Sequence, residues 1–192
     1  MIKSVGRRRS VAAALVLAGG VSAAAGSDRQ GTIAFSYGRY EVADARFKTI
    51  YPDQGPAWGF TLTAALFAPL EASLEIKHLS RTGTLSFTKE ATRFHLVPIS
   101  FGLRLVAPGK IFQPFAGGGL NYNLYYEDNP IGTTADAARG VHLQAGLYFR
   151  FGARFPILLL GQVKYVWAKV EKDGRTIDLG GLEYHGGLAL AF

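Results

Sequence analysis

Cysteine is absent from the 192 residues, which excludes a disulfide framework and any thiolate metal or redox site. Beyond residue 25 no apolar run nears the roughly 18 residues that a helical membrane span needs. The longest candidate there, Pro156-Ile-Leu-Leu-Leu-Gly161, is far too short. Helical periodicity is equally scarce in that region, so neither a helical bundle nor a helical anchor is expected. The histidines are few and scattered: His95, His142 and His185 fall in separate segments without metal-ligand spacing, and no cofactor is expected.

What the sequence does contain begins with an export signal. Lys3, Arg7, Arg8 and Arg9 form a basic region, Val11 to Val21 an apolar one, and Ala23-Ala24-Ala25 a small-residue cleavage site before Gly26. This order predicts a secretory signal peptide over residues 1–25 and one domain over residues 26–192. Four of the 21 basic residues and none of the 14 acidic ones lie in the signal, so the remainder carries 17 minus 14, or +3. The sequence pI of 9.7 is thus largely a property of the signal, and nucleic acid is not an expected partner.

Period-two alternation recurs through the rest of the chain, in segments 31–41, 57–67, 70–81, 93–106, 111–126, 140–151, 158–170 and 179–192. Short Pro- and Gly-rich connections at Ala68-Pro69, 107–110 and 152–156 alternate with longer, charged ones near 42–56, 82–92, 127–139 and 171–178. Both ends of the domain fall on the short-turn side. This pattern predicts an all-β fold, an eight-stranded antiparallel up-and-down barrel with short periplasmic turns and long external loops.

One face of each segment is apolar; the other mixes small residues with charges. In the last segment Leu182, Tyr184, Leu188, Leu190 and Phe192 oppose Glu183, His185, Gly187, Ala189 and Ala191. A soluble barrel turns the apolar face inward and a membrane barrel turns it outward. Segments of about 11 to 16 residues suffice for a tilted membrane crossing, where roughly 9–11 are needed. Tyr37, Trp58, Tyr126, Trp167 and Tyr184 fall near the loop ends of the apolar faces, and Phe112, Phe151 and Phe192 near the turn ends. Two aromatic girdles favour the membrane barrel.

The inward faces then carry Glu71, Glu75, Lys77, Arg104, Gln144, Arg150, Gln162, Lys164, Glu183 and His185. Charges of both signs on neighbouring strands, Glu183 beside Lys164 and Glu75 beside Arg104, predict a paired lumen network. A gated pore would use the same residues by exchanging partners. Gly117-Gly118-Gly119 lacks the Lys-Ser/Thr and the helix of a phosphate loop and reads as a place for close packing.

The final residues carry a family resemblance. His185-x-Gly187-x-x-Leu190-x-Phe192 resembles the C-terminal sorting signal of bacterial outer-membrane barrels. The whole domain resembles the small eight-stranded barrels of the OmpX/Ail, OmpA-barrel and OmpW groups. "HLVPISFGLRL" followed by "FQPFAGGGLNYNLYYED" is especially similar to OmpW-type barrels. The resemblance implies a porin-like protein of the Gram-negative outer membrane. It also implies a monomer embedded in outer-membrane lipid and lipopolysaccharide, assembled by periplasmic chaperones and the barrel-assembly machinery, which reads the terminal signal.

A structural or surface-interaction role through the external loops is the first functional expectation, and the protein is not expected to be an enzyme. The second is a narrow channel for small, hydrophobic solutes, as the OmpW resemblance implies. A third is an outer-leaflet lipid A hydrolase, since His78-x-Ser80 is similar to the His-x-Ser site of lipid A deacylases. That site needs an orienting carboxylate, and only Glu90, on a folded-back second loop, is available.

Overall fold

The computed structural model describes residues 30–192 apart from 53, 54, 85–89, 131, 153, 154 and 173. The predicted signal peptide, residues 1–25, lies outside the described residues.

The strands are β1 (Gly31–Val42), β2 (Ala57–Phe67), β3 (Leu70–Thr84), β4 (Ala91–Val106), β5 (Phe112–Asn129), β6 (Gly132–Arg150), β7 (Ile157–Lys172), β8 (Arg175–Asp178) and β9 (Gly181–Ala191). A helical turn, α1 (Ala45–Ile50), lies between β1 and β2. Each long strand pairs antiparallel with its neighbours, β6 with β7, β7 with β9 and β9 with β1, so eight strands close into a ring. Closure leaves no long strand with an unpaired edge. At the seam Phe192 N–H donates to Gly31 O at 3.1 Å and Gly31 N–H to Phe192 O at 3.0 Å.

Alternation decides which side chains face out. On β1, Thr32, Ala34, Ser36 and Tyr40 are buried while Ile33, Phe35 and Tyr37 are exposed. The same holds round the ring, where Leu103, Leu120, Leu143, Val163 and Leu188 each expose half or more of their surface. In water that continuous apolar belt would be a severe aggregation liability; in lipid it is the solvated surface. The aromatic residues predicted for the two girdles all lie on this outer face, from Tyr184 at 36% exposure to Phe151 at 58%. Among the described residues no helix is long and apolar enough to cross a membrane; the strands cross.

Two expected connections turn out to be paired strand. Residues 127–139 are not a loop, because β5 continues to Asn129 and β6 begins at Gly132, with Asn129 opposite Gly132. This hairpin stands above the apolar belt, where "TTADA" (133–137) meets water on both faces and no period-two signal survives. Within 171–178, β8 folds back on β7, pairing Arg175 with Lys172 and Asp178 with Lys169. Gly174 in the intervening turn has φ +70°, a left-handed conformation that costs glycine little.

Candidate functional site

The inner face, read from the segments as a mixture of small residues and charges, is layered. At the external end Tyr40, Val42, Leu79, Phe94, Leu96, Tyr125, Val166 and Leu179 form an apolar layer with Tyr51 of the first loop. At the turn end Ala34, Phe115, Tyr148, Leu158, Leu160 and Ala189 form a second. Glu75, Lys77, Lys164 and Glu183 lie between them, while buried Arg81 donates to Tyr40 O at the external layer. Alternation tells inside from outside but not height, and height determines which inward residues meet.

Four charges form the middle layer. Lys77 Nζ lies 3.0 Å from Glu75 Oε1 and 2.8 Å from Glu183 Oε2; Lys164 contacts Glu75 and lies 3.4 Å from Glu183. Two lysines and two carboxylates thus alternate in a closed, neutral ring, with His185 Nε2 3.3 Å from Glu183 Oε2. All five residues are buried. Neutral groups extend the network: Thr61 Oγ1 and Gln162 Nε2 donate to Glu75 Oε2 at 3.3 and 3.1 Å, and Lys164 donates to Ser100 Oγ at 3.0 Å. From there Ser100, Asn121 and Asn123 carry hydrogen bonds upward to the Leu179 carbonyl, which Tyr40 Oη also reaches at 2.6 Å. Thr61, Ser100 and Tyr40 were not singled out from sequence. Their signal was small or hydroxyl-bearing side chains in the inward phase.

The expected Lys164–Glu183 neighbours are directly opposed in register, but Glu75 and Arg104 are not partners. Glu75 faces Ser100, and Arg104 faces Glu71, with Nε 3.8 Å from Oε2. The Arg104 guanidinium sits over the Phe115 ring at 4.9 Å and near Tyr148 at 5.8 Å, a cation held against the lower apolar layer. Gly117 is opposite Arg104, and a β-carbon there would come within 2.7 Å of Arg104 Cα, so the glycine makes room for this arrangement. Gln144 is buried in the lumen, whereas Arg150 is half-buried at the turn end of β6 and forms no ion pair among the described residues. Of the terminal motif, His185 points inward, Leu190 and Phe192 face outward half exposed, and Gly187 packs on Phe35 O of β1.

His78 and Ser80 lie on the outer face, as the alternation requires. The His78 ring neighbours Trp58 and His95, each at 5.7 Å, and among the described residues no carboxylate pairs with it. Among the described residues no cluster of His, Asp or Glu could hold a metal ion.

Above the external layer a cavity of about 440 Å³ opens toward the loops. Phe47 and Ile50 of α1, Tyr51, Phe94, Tyr125 and Ile177 wall it, with Leu179 beneath and Asp44, Arg46 and Glu127 at its rim. Asp44 caps α1: its Oδ1 accepts from Arg46 N–H at 2.8 Å and Phe47 N–H at 3.2 Å. Tyr51 Oη donates to Glu127 Oε1 at 2.9 Å and lies 3.1 Å from Thr92 Oγ1, tying the first loop to β4 and β5. Burial is the main cause that pushes the Tyr51 hydroxyl far above its ordinary range, so it remains a proton donor at any working pH.

No family model matches the sequence, and no curated protein matches it. Solved structures match the fold. OprG of Pseudomonas aeruginosa, an outer-membrane protein, superposes with a TM-score of 0.65 at 13% identity, over 85% of this chain and 97% of that one. Neisserial surface protein A gives 0.61 at 13% identity, with the same coverage. The N-terminal β-barrel domain of OprF from Pseudomonas aeruginosa gives 0.56 at 14%, over 85% and 98%. The fold is that of the small eight-stranded outer-membrane barrels. Its lipid-facing belt and two girdles are those of a membrane-spanning β-barrel, and the solved structures that share its fold are outer-membrane barrels.

Proposed function

We propose that this protein works at the cell surface through its external end, and that its lumen is a sealed structural core. One observation carries the reading: a neutral ring of Lys77, Lys164, Glu75 and Glu183 lies between two apolar layers, so a hydrated ion meets bulky side chains above and below the charges. Eight strands leave an interior that side chains just fill. What remains for recognition is α1, the β5–β6 hairpin and β8, all anchored on a rigid wall and in contact with lipopolysaccharide and the medium. A narrow channel would require Leu79, Leu96 and Tyr40 to leave the external layer. Ion conductance of the reconstituted protein is the test. A silent bilayer fits a surface role, and stable open-channel steps contradict it.

A further inference from the structure

We infer that the mouth cavity is a binding site for a small organic cation with an aromatic or similarly bulky apolar body. Four rings meet there: Phe47–Tyr51 at 4.7 Å, Phe47–Phe94 at 4.9 Å, Tyr51–Phe94 at 5.6 Å and Phe94–Tyr125 at 6.1 Å between centroids. A volume of about 440 Å³ with apolar walls and a few convergent polar groups falls within the range of small-molecule pockets. Tyr125, a residue only 7% exposed, lines this cavity, and its hydroxyl, shut off from water, has no hydrogen-bond partner among the described residues. A bound molecule that shifts α1 would give this hydroxyl the partner that buried hydroxyls nearly always have.

The sign of that group follows from the rim. Asp44 and Glu127 line the cavity, Asp136 stands opposite Tyr125 on β6, and Asp178 lies beside Asp44, its N–H reaching Asp44 Oδ2 at 3.4 Å. Against these four carboxylates stand Arg46, exposed in the lining, Arg81, buried opposite Phe94, and Lys169, opposite Asp178, which leaves the acidic groups in the majority. Ring faces and carboxylates together attract ammonium groups and repel anions. The site is blind. Leu79, Leu96, Ala138 and Val166 lie in the layer beneath it, so the cation is held and released on the external side without crossing the wall. Its first wall, α1, is a loop element with no buried residue of its own, which lets the pocket fit its occupant.

The test uses three molecules of similar shape, 2-phenylethylammonium, neutral 2-phenylethanol and anionic 3-phenylpropionate. Each is titrated calorimetrically into protein purified from outer membranes in maltoside micelles, whose headgroups carry no charge. The ammonium should bind at least about tenfold more tightly than either comparator. Tyr125→Phe and Glu127→Gln should each weaken it by about threefold to tenfold, and both variants must keep a heat-dependent gel mobility that reports a folded barrel. Equal binding of all three molecules, preference for the propionate, binding unchanged in both variants, or no binding of the ammonium would overturn the inference.

Discussion

Removing one carboxylate from the lumen ring should strand a charge, so that losing it together with a lysine partner costs less than the sum of the two separate losses. Glu183 is fully buried and holds Lys77 at 2.8 Å and Lys164 at 3.4 Å. In Glu183→Gln the two lysines are left with Glu75 alone, and the lumen carries one uncompensated positive charge. Breaking a buried pair in this way costs about 3–5 kcal/mol. Lys77→Met has the mirror-image defect, since Glu75 and Glu183 then share Lys164. The double variant Glu183→Gln/Lys77→Met is neutral again, keeps the Lys164–Glu75 contact and fills similar volume. Its cost should fall short of the sum of the single costs by about 2 kcal/mol or more, the upper part of the range for directly contacting residues. Urea unfolding in neutral lipid vesicles, followed by tryptophan fluorescence and by gel mobility, measures all four proteins. Additive costs, or a Glu183→Gln penalty below about 1 kcal/mol, would refute the claim that the ring is a mutually dependent buried unit.

Two further outcomes test the external end and the seam. Tyr51→Phe removes the donor to Glu127 and should weaken the first loop locally by about 1–2 kcal/mol, seen as roughly tenfold faster amide exchange at Phe47 and residue 51 with little change in global unfolding. Unchanged exchange would mean that the hydroxyl does not hold α1 in place. Phe192→Ala removes a half-exposed ring at the barrel seam and alters the motif that resembles an assembly signal. It should lower the amount assembled in cells while shifting the in-vitro unfolding free energy by less than about 0.5 kcal/mol. A loss in vitro as large as the loss in cells would assign the residue to stability instead.

Much of the barrel was legible because lipid and lumen impose opposite demands on alternate residues. Wherever that contrast operates, the strands fall where the alternation placed them, from 57–67, which coincides with β2, to 179–192, which contains β9. Where it ceases, the signal ceases: β8, α1 and the upper β5–β6 hairpin lie outside the belt. Register is a separate matter. Both expected pairs join strands across a longer external connection, which leaves the offset open: Lys164 meets Glu183 in register, whereas β3 and β4 pair with a different offset. Arg104 consequently meets Glu71 rather than Glu75, four residues away. Contacts across the lumen were least legible. Lys77 on β3 reaches Glu183 on β9, 106 residues on, and only the closed ring brings them together. The mouth cavity was invisible for the same reason, since α1, β4, β5 and the β8 region each supply part of it.

The sealed lumen is tested most directly by recording currents across planar bilayers into which the purified, heat-modifiable protein has been inserted. No discrete conductance is expected at either polarity, because the layers at Leu79, Leu96 and Tyr40 above and at Phe115, Tyr148 and Leu158 below exclude water from the charged ring. Reproducible open-channel steps that scale with the amount of folded protein would contradict it, and would show that these layers part to let ions reach Lys77 and Glu183.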